Sequence, residues 1–179
     1  DNPDDGACAD LKTKTIHLPD KVGDKNVFAV LALLMHESAH IAYSTDALEN
    51  CVDKKDDEGM HIFNCIEDVR IDLKNFNKLQ NVKAFYDRLL KDYCDYSNNT
   101  DQNIEFKVKI LITAMLRMEG FDCYGFKQEK AVYEFLMDNP LEKIIYDGIF
   151  YLDQGNWKLV RKCIQDIKDM LNMAQKKHQ

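Results

Sequence analysis

Proline and glycine are scarce in this chain, three and seven of 179 residues, too few turn-formers for a β-sandwich or barrel, so a helix-rich fold is expected. Long apolar runs are lacking too. The longest, 27–35 (VFAVLALLM), has nine residues where a membrane-spanning helix needs about 20, and no positively charged, apolar leader precedes it. Nor is there an excess of positive charge: 24 Lys and Arg against 31 Asp and Glu give a net charge of −7, with the basic residues dispersed. Neither nucleic acid nor an anionic membrane is therefore expected as a partner. The six cysteines, Cys8, Cys51, Cys65, Cys94, Cys123 and Cys163, form no C-x-x-C pair and show no zinc-finger spacing. A chain of this length can bury a core without cross-links, so they read as buried thiols in a reducing, cytoplasmic compartment. No repeat, low-complexity run or linker interrupts the sequence. A single domain over 1–179 is expected, with a motif lobe at 1–80 and a helical lobe at 81–179.

What the chain does have is H-E-x-x-H. Val27–Tyr43, VFAVLALLMHESAHIAY, reads as a mostly buried helix that carries His36-Glu37-Ser38-Ala39-His40. Positions i and i+4 share a helical face, so the imidazoles of His36 and His40 can converge on one metal ion with Glu37 beside them. Two histidines and a glutamate are costly to bury without partners, and a metal relieves that cost. This donor set suits a zinc hydrolase: two neutral nitrogen ligands, a third protein ligand from elsewhere, and Glu37 as general base toward a water acidified by the metal.

Around this helix the chain reads as α+β, predominantly α. Residues 7–18 carry β-formers and predict two short strands about a turn near 10–12, a hairpin packed on the motif helix and ended by Pro19. Asp24 or Asn26 can cap the helix, and Ser44-Thr45-Asp46 breaks it. Asp46, six residues after His40, is one candidate third ligand, although it suits better as the cap of a short helix at 47–53. Residues 53–59 (DKKDDEG) read as a solvated loop. In 60–73, Ile62, Ile66, Val69 and Leu73 form one apolar stripe, and the other face carries Asn64, Glu67, Asp68 and Ile71. That second face predicts a helix that lies against the motif helix and delivers Glu67 as third ligand, with Asp68 as neighbouring candidate and Asp72 or Asn64 orienting a ligand imidazole. Beyond residue 81 the pattern is helical: an apolar face through Val82, Phe85, Leu89 and Tyr93; a second through Ile104, Val108, Leu111, Met115 and Met118, capped at Gly120; then helices at 127–138, after Pro140 and at 157–174. Tyr43 and Tyr86 are candidate donors to an oxyanion.

The order T-x-T-I-H-L-P (13–19), HESAH (36–40), STD (44–46) and FNCIEDVRID (63–72) resembles the metallopeptidase domain found with von Willebrand A-type domains in bacteria and phages. The resemblance covers roughly residues 7–90; Asp72 stands where that pattern has Glu. It implies a zincin-like fold, zinc held by His36, His40 and an acidic residue of the Glu67–Asp68 pair, and Glu37 as base. The expected activity is hydrolysis of a peptide or protein substrate. The alternative is a catalytically inactive zincin-fold binding or regulatory module.

Overall fold

A computed structural model describes residues 7–18, 27–44, 47–79, 81–97, 104–121, 126 and 129–178. They form two short strands, β1 (Cys8–Asp10) and β2 (Thr15–His17), and eight helices: α1 (Val27–Tyr43), α2 (Leu48–Cys51), α3 (Asp57–Lys78), α4 (Val82–Ser97), α5 (Phe106–Met118), α6 (Lys130–Asp138), α7 (Leu141–Asp153) and α8 (Trp157–His178). The chain is thus predominantly helical with one small antiparallel sheet, as its composition predicts. Among the described residues, no helix is long and apolar enough to cross a membrane.

The strands pair antiparallel, Cys8 opposite His17 and Asp10 opposite Thr15. The turn falls at 11–14, slightly later than expected, because the Asp10 carboxylate accepts the backbone N–H groups of Lys12 and Thr13 at 2.9 and 3.2 Å. Lys14 completes it in the left-handed region at φ 54°.

Two compact units make up the chain, Asp1–Ser44 with Ile71–Asn99, and Thr45–Arg70 with Thr100–Gln179. This differs from a division at residue 80: α4 belongs with the hairpin and α1, while 45–70 belongs with the C-terminal helices. In the first unit α1 packs on α4 and on both strands. Ala32 and Ala39, 0% and 2% exposed, lie seven residues apart on one face of α1, and their small side chains let a neighbouring helix come close. Ile71, Val82 and Tyr86 are buried in the same unit.

The second unit has the larger core, built from Ile62 and Ile66 of α3, Ile110 of α5, Val132 of α6, Ile145 of α7 and Ile167 of α8, among others. Burying each such side chain stabilises by roughly 1.5–3 kcal/mol. Gly148 of α7 faces Ile66, where an added Cβ would lie 3.2 Å from Cδ1. Helices α7 and α8 form a hairpin around Gly155, whose φ of 66° lets the Asn156 N–H reach back to the Tyr151 carbonyl at 2.9 Å. Gly120 at φ 81° closes α5 in the same way, as its sequence position predicts, with Phe121 N–H bonded to Leu116 O at 2.8 Å. Of the face expected on α5, Leu111 is buried and Met115 and Met118 pack against the core, while Val108 is 40% exposed and Phe106, Ile110 and Ala114 are buried as well.

Helix α3 starts inside the stretch read as a loop. Asp56 accepts the Gly59 N–H at 3.0 Å and so caps the helix within this charged run. The helix of 60–73 has more than one apolar stripe, since Phe63 and Ile71 are buried as well as Ile62, Ile66 and Val69. Cys8, Cys51, Cys65 and Cys163 are free thiols. Cys51 and Cys163 are buried as expected, whereas Cys8 on β1 is exposed. Desolvation pushes the Cys51 thiol up to about 11 and the Cys65 thiol up to about 12.

Candidate metal centre

The motif helix and α3 supply the site, and helical periodicity decides which side chains meet. His36 and His40, one turn apart on α1, bring their rings to a centroid distance of 4.8 Å at 90°. Their Nε2 atoms stand 3.2 Å apart. Each ring is held from its other nitrogen. His36 Nδ1–H donates to Asp72, 3.0 Å from Oδ1 and 3.2 Å from Oδ2, and that carboxylate is only 5% exposed. His40 Nδ1 is hydrogen-bonded to Ser44 Oγ at 3.0 Å. Ser44 also gives its backbone N–H to the His40 carbonyl at 2.9 Å, so the residue that ends α1 also orients the second imidazole.

With Nδ1 as the protonated nitrogen of both rings, the two Nε2 atoms present lone pairs to a shared point. Two such lone pairs repel unless a proton or a cation lies between them. A tetrahedral ion bound at about 2.0–2.1 Å by each nitrogen would separate them by about 3.3 Å. The observed 3.2 Å therefore fits a shared metal ion.

Asp68 completes the group. One ligand atom from each of His36, His40 and Asp68 lies within 4.8 Å of the other two, and all three residues are half-buried. Asp68 and Asp72 are i and i+4 on the unbroken α3, so the same turns of helix carry the carboxylate bonded to His36 and the one grouped with both imidazoles. Asn75, one turn further, is 4% exposed and donates to the Met35 carbonyl at 3.3 Å, tying α3 to the residue that precedes His36. Two imidazoles and a carboxylate form a donor set suited to a divalent transition-metal ion.

Glu67, expected as third ligand, lies outside this group. Arg70 Nε and Nη2 each donate to it at 2.7 Å, one to either oxygen, while Nη1 reaches Asp153 at 2.9 Å. Burial disfavours the Arg70 charge, but the bonds from Glu67 and Asp153 outweigh it and raise its pKa. The helical step turns Glu67 about 100° from Asp68 and toward Arg70, three residues on, which takes up both of its oxygens. Asn64 is exposed on α3. Asp46, Asp24 and Asn26 lie outside the described residues. Asp72 does orient an imidazole, as its position suggests.

Glu37 is buried at 6% exposure, between the two histidines in sequence. Of the tyrosines, Tyr43 carries the Lys78 ammonium over its ring at 4.7 Å, and the Tyr86 hydroxyl donates to Asp72 Oδ1 at 2.7 Å rather than into an open site. Ser44 and Asn75 make contacts at the candidate site that the sequence motifs do not single out. The i+4 spacing of Ser44 from His40, and of Asn75 three residues after Asp72, is the signal that could have found them. No protein-family model, curated protein or solved structure matches this chain.

Proposed function

We propose that the chain is a zinc-dependent peptidase in which His36, His40 and Asp68 hold the metal and Glu37 is the general base. The observation that carries this reading is the pair of Nε2 atoms 3.2 Å apart, each ring fixed at Nδ1, with a carboxylate in reach and a buried glutamate between them in the sequence. Zinc, when bound, would polarise the scissile carbonyl and lower the pKa of water to about 7. The chain's own groups do the remainder. Glu37 takes the proton from the attacking water and returns it to the leaving amine, the proton shuttle that the glutamate of an H-E-x-x-H helix can perform. The Asp72 carboxylate, which can only accept, favours the His36 tautomer with its proton on Nδ1 and a lone pair on Nε2, and Ser44 orients the His40 ring. A peptide or protein is the proposed substrate class, and the resemblance of HESAH with FNCIEDVRID to metallopeptidase domains supports it.

Glu37→Gln is the deciding variant. Metal content should stay equal to wild type while cleavage of a mixed peptide library, read by mass spectrometry, falls by at least about 100-fold, the lower range for loss of a general base. Undiminished cleavage by Glu37→Gln would sink the mechanism. A wild type that holds metal but cleaves nothing in such a library supports instead a zincin-fold binding module.

A further inference from the structure

We propose that Tyr86 is a positioning residue for the metal site, acting through Asp72 to aim the His36 imidazole. The assignment rests on the metal reading of His36, His40 and Asp68, but not on peptidase activity. Tyr86 lies in the second turn of α4, 7% exposed, with its ring edge-on to Phe76 at 5.0 Å and its hydroxyl 2.7 Å from Asp72 Oδ1. That oxygen is also the nearer acceptor for His36 Nδ1–H, at 3.0 Å against 3.2 Å for Oδ2. One carboxylate oxygen thus receives two donors, from α1 and from α4.

The terminal torsion of an aspartate is soft, with broad wells. An Asp72 held only by His36 could turn about that torsion and carry the imidazole with it. A second donor at Oδ1 from a packed ring removes this freedom and keeps the oxygen that His36 uses in place. The hydroxyl also accounts for part of the demand of a buried charge, since Asp72 itself is 3% exposed. The result is a chain, Tyr86 to Asp72 to His36, that draws on three helices and ends at a proposed metal-ligating nitrogen. Carboxylates that orient a ligating histidine typically alter metal affinity by about 10- to 100-fold when removed. One link further out, loss of the Tyr86 hydroxyl should weaken affinity by about 5- to 10-fold, with loss of Asp72 at the upper end of the range.

The test is a cycle of Tyr86→Phe, Asp72→Asn and the double variant in the full chain. Zinc affinity is measured by competition with a chromophoric chelator, and the apo thermal midpoint is followed in parallel. Tyr86→Phe keeps the ring and its contact with Phe76 and removes only the donor. The expected result is a 5- to 10-fold rise in Kd for Tyr86→Phe, an altered ligand-field spectrum of its cobalt(II) form, and a double variant no weaker than Asp72→Asn alone. A merely structural hydroxyl would lower the apo midpoint and leave affinity and spectrum unchanged. A Tyr86→Phe Kd within twofold of wild type overturns the assignment, as does a double variant in which the two losses multiply. A wild type that takes up no metal overturns the metal centre and this assignment with it. Tight uptake without any peptide cleavage fails the peptidase reading alone and leaves this one standing.

Discussion

Glu67 and Asp68 are neighbours with the same charge, and the helix gives them opposite surroundings. One carboxylate is enclosed by the Arg70 guanidinium at 2.7 Å on both oxygens; the other sits with two imidazoles. Replacing each with its amide should separate these roles. Asp68→Asn is expected to lower zinc affinity by at least about 10-fold with little change in apo stability, whereas Glu67→Gln should leave zinc content at the wild-type level and destabilise the fold. Loss of a buried pair's partner costs about 3–5 kcal/mol when the remaining ion stays uncompensated, and here Arg70 keeps Asp153, so the lower end is expected. Metal analysis and urea unfolding of the two variants check this. The histidine pair was legible in sequence because i, i+4 spacing and residue type determine it; Asp72 was one of two candidates, with Asn64, for orienting an imidazole, and the structure bonds Asp72 to His36. The choice between Glu67 and Asp68 was not legible, since their distance from His40 differs by one residue and only the three-dimensional position of Arg70 decides it. Even so, Arg70 stands at i+3 from Glu67, a spacing that favours an ion pair on one helix.

At the level of elements, α3 is the helix whose start was least legible and whose middle mattered most. Charged residues at 53–59 looked like loop because composition alone does not show where their charges go. Two of those charges, in fact, are answered from other helices: Lys168 donates to Asp56 at 2.6 Å, and Lys107 and Asn172 donate to Glu58 at 2.9 and 3.2 Å. For Asp56 the Lys168 bond, followed by the Gly59 N–H, holds the carboxyl below its ordinary 3.8; for Glu58 burial opposes ionisation, yet the bonds from Lys107 and Asn172 overcome it and hold the group below 4.5. Both folded values lie under the unfolded ones. The stabilisation is therefore complete above about pH 4.5 and is lost as pH falls through the depressed folded values. Urea midpoints measured from pH 6 downward should decline below pH 4.5, and Lys168→Met should flatten part of that decline. A variant with the same acid slope as wild type would show that the Asp56 pair adds nothing. Elsewhere the caps were readable where glycine marks a left-handed residue, as at Gly120, and unreadable where an aspartate starts a helix inside a charged run.

For the molecule as a whole, the lobes inferred from the sequence and the two compact units differ because α3 runs unbroken across the point where the units divide, between Arg70 and Ile71. Sequence patterns locate helices but not which of them share a core; that depends on contacts between residues far apart in the chain. If the proposed centre binds zinc only in the folded state, ligand linkage should stabilise the protein by about 4 kcal/mol at free zinc 1,000 times Kd. The thermal midpoint should accordingly rise with added zinc and fall with chelator in wild type, and do neither in His36→Ala. The Asp72 bond to His36 joins residues 36 positions apart, whereas His36 and His40 are only one turn from each other. A refolding chain can therefore form the two-histidine pair as soon as α1 winds, but the carboxylates arrive only after that longer loop has closed, at an entropic cost that grows with its length. Metal capture should in consequence occur in two kinetic stages, a weak early association through the imidazoles and a tightening that marks the docking of α3, which would make the ion a clock for the last step of folding as much as a tool of the finished protein.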